Sequence, residues 1–384
     1  MKITRRSRVR RVILASALFG LGFITPAAAQ LHPYLIDLNS RTVTELEVAD
    51  LFLEPARAMN DAGQVAGIFL TPGKDYHALI TGPDGVGMRD LGTLGVSYSV
   101  AHGINNAGRV VGISTRYAAD SSAWEYRGFI TGPDGVGMRD VGSLGGTFSE
   151  GCDINNSGQV VGVSTIVGET QHAFITGPDG VGMRDLGTLG GVGRIPTHVN
   201  DAGQIVGSSP YETGSFITGP DGTGVRDLGT LGGDFTLASG INDAGQVAGL
   251  SYTTGGEAHA FITGPDGMGM RDLGALGGAN SVGRDINDAG QVVGSFRATE
   301  GALSRAFITG PDGNAMVDLN SLVDLPGGVV LGEAVLINNS GQVVAYPQIP
   351  EPKIYVMILF GLGLIGLFAR RKKAENPWMN MGRL

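Results

Sequence analysis

The sequence predicts an all-β fold: a seven-bladed β-propeller of four-stranded blades, with the first and last strands sharing the closing blade. Three observations predict it. The phrase Asn-Asp-Ala-Gly-Gln-Val-Val-Gly, or a near copy, occurs seven times, centred on Gly63, Gly108, Gly158, Gly203, Gly245, Gly290 and Gly341. The mean spacing is about 46 residues, typical of propeller blades. A second phrase, Phe-Ile-Thr-Gly-Pro-Asp-Gly or a close variant, alternates with it, its proline at Pro83, Pro133, Pro178, Pro220, Pro265 and Pro311. Finally, the ends of the repeat region are complementary halves. His32–Leu46 reads as a worn second phrase, and Ile337–Val344 is a first phrase with no partner after it. Two orphan halves make one blade. An open solenoid with capping units predicts no such match.

Each unit reads as two hairpins. Gln159-Val160-Val161-Gly162 is a short β-branched strand, and Asn155-Asn156-Ser157-Gly158 before it is turn chemistry, with Gly supplying a positive φ. Ala173-Phe174-Ile175-Thr176 is the next strand, Gly177-Pro178-Asp179-Gly180 its turn, and Met183-Arg184-Asp185-Leu186 the returning partner. No part of the repeat region holds a 3.6-residue apolar period, so helix content is expected to be low. One four-stranded sheet cannot bury both faces alone, whereas a radial array can and leaves only short edges.

The two ends read as address labels. Residues 1–29 have the form of a secretory signal peptide. Its basic start is Lys2, Arg5, Arg6, Arg8, Arg10 and Arg11, its apolar segment Val12 to Ile24, and its cleavage site Ala27-Ala28-Ala29 before Gln30. That form implies signal peptidase and the general secretory route. Residues 30–348 are the repeat domain. Residues 349–373 hold Pro350-Glu351-Pro352, an apolar run over 354–369 expected to form a transmembrane helix, and the basic cluster Arg370-Arg371-Lys372-Lys373. The cluster places its side in the cytoplasm and the domain outside, leaving 374–384 as a cytoplasmic tail.

This ordered end resembles the PEP-CTERM sorting signal of Gram-negative bacteria. The resemblance implies processing by an exosortase and placement at the cell surface or in extracellular polymeric material. One departure is that the chain runs on from Ala374 to Leu384. The repeats resemble the HAF family of extracellular repeats, through His172-Ala173-Phe174, His259-Ala260-Phe261, the near copy His77-Ala78-Leu79 and the run Asp185-Leu186-Gly187-Thr188-Leu189-Gly190-Gly191. That likeness implies an extracellular repeat protein and no established activity.

Charge narrows the partners. Residues 30–352 carry 15 basic and 35 acidic side chains, a net of −20. Such a domain repels nucleic acid and anionic membrane surfaces. With Cys152 alone no internal disulfide exists, so stability rests on packing and sheet hydrogen bonds. The apolar fraction of 42% argues against disorder.

Candidate chemistry mostly dissolves into the rhythm. His32, His77, His172 and His259 share one repeat position, where other units carry Arg127, Ser215 and Arg305 at or near it. A metal ring would not tolerate that exchange. His102 and His198 stand before the Asn-rich turns without an evident partner. Asp90, Asp140, Asp185, Asp227, Asp272 and Asp318 recur at the fourth strand, and Asp84, Asp134, Asp179, Asp221, Asp266 and Asp312 in turns. A glycosidase needs two acids in different environments, and repeated acids do not differ. Calcium suits an acidic exported repeat, yet no Asp-x-Asp-x-Asp-Gly loop is present. Cys152 occurs in one unit and reads as packed or inert. Trp124 and Tyr126 sit in the one long insertion, where packing under a loop competes with stacking on a sugar. No catalytic, cofactor or metal residue is therefore expected. The chain reads as a non-enzymatic surface or matrix protein that binds glycan or protein. The alternative is an extracellular polysaccharide hydrolase or lyase, with blade-specific polar residues gathered on the axis.

Overall fold

Seven antiparallel four-stranded sheets make up the fold. The computed structural model describes residues 32–46, 56–118, 123–168, 170–191, 193–209, 214–299 and 301–348. The expected signal peptide with Ala27, Ala29 and Gln30, the apolar run over 354–369, and the sorting residues Pro350 to Lys373 lie outside the described residues. Among the described residues no helix is long and apolar enough to cross a membrane.

Blades 1 to 6 are consecutive in sequence, over 56–90, 99–140, 145–187, 195–227, 232–274 and 280–318. Blade 7 is shared. Its inner strands Leu331–Ile337 and Gln342–Pro347 come from the end of the domain, and its outer strands Tyr34–Asp37 and Thr42–Glu45 from the start. Tyr34 pairs with Ala345 and Asp37 with Gln342, antiparallel. The two orphan halves thus join as the sequence predicts.

The two repeated phrases recur together because they dock on each other. In blade 3 the Gly180 amide donates to the Gly158 carbonyl at 2.8 Å. Gly158 has φ +81°, and a Cβ there would lie 2.7 Å from the Asp179 amide nitrogen. Across the way, Asp179 takes φ +60°, the left-handed region that aspartate tolerates better than most residues. Gly162 meets another demand, since a Cβ on it would overlap the Glu150 carbonyl and press on the Phe174 ring.

The core lies between blades. Phe129, Phe174, Phe216, Phe261 and Phe307 are all fully buried. Phe174 packs with Val111 and Ile130 of blade 2 and with Ile154 and Val160 of its own blade. Its neighbour Ile175 points the other way, into a cluster with Val199, Ile205 and Phe216 of blade 4. Alternation along one strand therefore feeds two cores, as period-2 geometry requires.

The repeated His and Asp meet within blades. His77 Nδ1 lies 2.9 Å from Asp90, His172 2.9 Å from Asp185 and His259 2.8 Å from Asp272. Arg305 makes the same contact with Asp318 at 2.6 Å. Each Asp also accepts from an amide two residues on, Gly187 N to Asp185 at 2.7 Å for instance. The His-Ala-Phe and Asp-Leu-Gly elements are thus two halves of one clasp holding the fourth strand.

Candidate functional site

The first strand of every blade lines an axial channel, a cavity of about 610 Å³. Two closed rings of hydrogen bonds encircle one end. In the first, each buried asparagine donates through Nδ2 to the backbone carbonyl of its counterpart. The series runs Asn60 to Asn105, Asn155, Asn200, Asn242, Asn287 and Asn338, and back to Asn60, at 3.0–3.2 Å. In the second, the next residue's amide donates to its counterpart's side chain, through Asp61, Asn106, Asn156, Asp201, Asp243, Asp288, Asn339 and back to Asp61, at 2.7–3.0 Å. These rings explain the invariant Asn and the Asn/Asp beside it. Burial and the neighbouring acids hold Asp243 above the usual carboxylate range.

Below the rings, every inner strand carries a β-bulge at the same repeat position. The bulged residues are Arg57, His102, Cys152, Thr197, Ser239, Arg284 and Val335, and all of them line the channel. A bulge re-aims a side chain. Here it presents one residue per blade to the axis at the position where the repeats differ most. The next position adds Asp153, His198 and Asp285. Polar residues that break the rhythm do gather on the axis, the arrangement named above for the enzyme alternative. Sequence reading noticed His102, His198 and Cys152 singly. The signal that unites them is a variable column between constant ones.

The geometry shows what these groups do. Asp153 accepts from its own strand, Ile154 N at 2.8 Å, and from the next blade, Val199 N at 3.0 Å. Asp285 repeats this with Ile286 N at 2.8 Å and Ile337 N at 2.9 Å. The two carboxylates staple blade 3 to blade 4 and blade 6 to blade 7. Burial raises both to about 7 against the pull of their amide donors, and the charge of Asp153 adds to the rise at Asp285. His102 is lowered to about 4 by burial and then by Arg57, with Nδ1 3.1 Å from the Gly151 carbonyl. Burial alone lowers His198 to about 4, and its Nδ1 is buried without a hydrogen-bond partner. Glu150 is raised by burial. Burial also pushes the Cys152 thiol well up, so it is no thiolate nucleophile at neutral pH. Arg284 is held by Glu333 at 2.6 Å. Among the described residues no group of three His, Cys, Asp or Glu is arranged to hold a metal ion.

These shifts predict a pH signature. A carboxyl raised to about 7 in the folded state but near 3.9 unfolded lets the native protein bind protons that the unfolded chain releases. Its contribution therefore falls as pH rises from about 4 to about 7. His102 and His198 act oppositely, their contribution rising with pH from about 4 to about 6.5. Relative to the parent, an Asp153→Asn, Asp285→Asn double variant should gain stability as pH rises from about 4 to about 7. Urea unfolding at a series of pH values measures it. A parent-to-variant difference that does not move with pH would refute the raised carboxyls.

Residues 348–373 match the PEP-CTERM protein-sorting motif. The match covers Pro350, Glu351, Pro352 and the Arg370–Lys373 cluster. It implies processing by an exosortase and export to the cell envelope or surface of a Gram-negative bacterium. No curated protein matches the chain. Among solved structures, a puromycin-hydrolysing peptidase from Mycobacterium tuberculosis is 14% identical with a TM-score of 0.49, covering 81% of this chain and 54% of that one. An oligogalacturonate lyase from Vibrio parahaemolyticus is 10% identical with a TM-score of 0.47, covering 84% and 98%. TolB from Acinetobacter baumannii is 12% identical with a TM-score of 0.45, covering 74% of this chain and 63% of that chain. Likeness at this level carries no argument about activity. The propeller assignment rests on the sheet order, and the family match at 348–373 does not extend to the HAF-like repeats.

Proposed function

We propose that this is a non-enzymatic binding protein, exported by its N-terminal signal and sorted to the envelope or surface, whose propeller takes a glycan or protein ligand at the axial channel. The observation that carries the reading is the bulge ring. The outer clasps and turns are repeated, while the channel side chains change from blade to blade. Specificity belongs where sequence varies on a constant frame. Polar residues gathered on the axis also suit the hydrolase or lyase alternative; binding is favoured because two of the channel acids, Asp153 and Asp285, are already committed to backbone amides. The two sit in matching environments, and each spends both oxygens in this way. General acid–base work needs two acids set apart in pKa.

The test pairs a binding screen against glycans and exported proteins with a polysaccharide-turnover assay, both on the full chain. Binding should weaken at least about tenfold when Arg57, His102 and Arg284 are replaced by alanine, a loss of ~1.4 kcal/mol. No turnover is expected. Turnover that disappears on replacing His102 or His198 would overturn this reading in favour of the hydrolase or lyase.

A further inference from the structure

Blade 2 departs from its siblings on its outer side as well as at the axis. Its middle strands, Val110–Tyr117 and Trp124–Ile130, run to eight and seven residues. Their last pairs are Thr115 with Tyr126, Arg116 with Glu125 and Tyr117 with Trp124. Side chains alternate between the faces of a sheet, so Arg116, Glu125 and Arg127 share one face and Tyr117, Trp124 and Tyr126 share the other.

The polar face is locked. Arg116 meets Glu125 at 3.2 Å and Asp140 at 2.9 Å, and Arg127 meets Glu125 at 2.9 Å. The aromatic face is open: Trp124 is 56% exposed, Tyr117 61% and Tyr126 37%. The positions matching Tyr126 in blades 3, 5 and 6 are Gln171, Ala258 and Ser304, and those matching Tyr117 are Val167, Thr254 and Thr299. Blade 1 has Tyr76 at the Tyr126 position, itself 37% exposed, so Trp124 and Tyr117 are what is particular to blade 2.

The rings form a file that runs from the hairpin end to the start of the inner strand. Trp124 and Tyr126 meet edge to face at 5.2 Å and 79°, and Tyr126 and Tyr98 at 6.1 Å and 88°. Tyr98 directly precedes the inner strand and packs against the same cluster of Ile68, Val100 and Ile113 as Phe148, two residues before the channel residue Glu150. An edge-to-face contact covers one face of one ring only, and the exposure of Trp124 and Tyr117 shows that ring surface stays free. Exposure of this degree favours stacking on a ligand over packing under a loop.

We infer that the Trp124–Tyr126 ledge and the adjoining channel mouth form a binding site for a neutral polysaccharide. Sugar C–H faces stack on the open rings, and planar side chains at the mouth, Arg57 and Glu150, take hydroxyls. Size and charge select this occupant. A stable protein interface needs about 800 Å² from each partner, which a single file of half-exposed rings does not offer. A polyanion is repelled by the domain's net charge of −20.

This inference rests on the binding reading above and narrows it. Isothermal titration of the full chain with neutral hexasaccharides of glucose, galactose and mannose, and with a hexagalacturonate, tests it. Neutral oligosaccharide binding is expected, weakened at least tenfold in Trp124→Ala and retained within about threefold in Trp124→Phe, at unchanged melting temperature. Tighter binding of the uronate, or neutral binding that Trp124→Ala leaves intact, overturns the site and leaves the general binding reading standing. Binding of no glycan at all overturns the site, and polysaccharide turnover overturns the general reading.

Discussion

Deleting residues 32–46 should leave a chain that does not fold. The hairpin they form supplies the outer half of blade 7, and Tyr34, Leu35 and Ile36 are 8%, 3% and 0% exposed. Alternate residues serve different neighbours. Tyr34 and Ile36 pack with Val293 and Ile308 of blade 6, while Leu35 and Leu46 pack with Ala56, Val65 and Leu79 of blade 1. Removing the hairpin opens both cores together and bares the edge of Gln342–Pro347, an invitation to pair with other chains. At roughly 1.5–3 kcal/mol for each large buried side chain, four such losses equal a sizeable share of a typical 5–15 kcal/mol total stability. The expected result is aggregated material with no cooperative melt, read by size exclusion and circular dichroism. A soluble, cooperatively melting deletion chain would show that six blades hold together without the closure.

Phe174→Ala should cost about 3–5 kcal/mol, the range for removing a buried aromatic ring. The ring is fully buried and fills the gap between blades 2 and 3, against Val111 and Ile130. Collapse into the space is resisted because Gly162 already brings the inner strand as close as its backbone permits. Phe174→Leu keeps most of the volume and should cost clearly less. Urea denaturation of both variants against the parent measures the difference. A cost below about 1 kcal/mol for the alanine variant would mean that blade-to-blade packing is not where the stability resides.

Much of this fold was legible because the repeat states it many times over. The strands, both turns and the shared blade follow from recurring turn residues and from the mismatch between the ends. The structure adds reasons for particular residues. Asn155 is invariant because its side chain donates to the Asn200 carbonyl of the next blade, a partner 45 positions away that no local pattern reveals. His172 recurs because Asp185 clasps it.

The candidate site was less legible, for a definite cause. Reading phrases directs attention to what repeats, whereas the channel is built from what does not. Arg57, His102, Cys152, Thr197, Ser239, Arg284 and Val335 occupy one column, three residues before the asparagine of each first phrase. The bulge that turns this column toward the axis is a backbone event with no residue signature of its own. Trp124 and Tyr126 were visible as residues and Tyr98 was not, and the face they share depended on a register that only the paired strands define.

The shared blade also fixes where a pull applied at residue 348 would enter the domain. The sorting motif begins at residue 348, directly after the strand Gln342–Pro347. That strand is interior to its sheet, paired with Leu331–Ile337 on one side and Tyr34–Asp37 on the other. Tension on a C-terminal tether therefore enters through a strand gripped along both flanks. A pull along that strand would shear its hydrogen bonds together instead of unzipping them singly, so the link that completes the ring would also take the load.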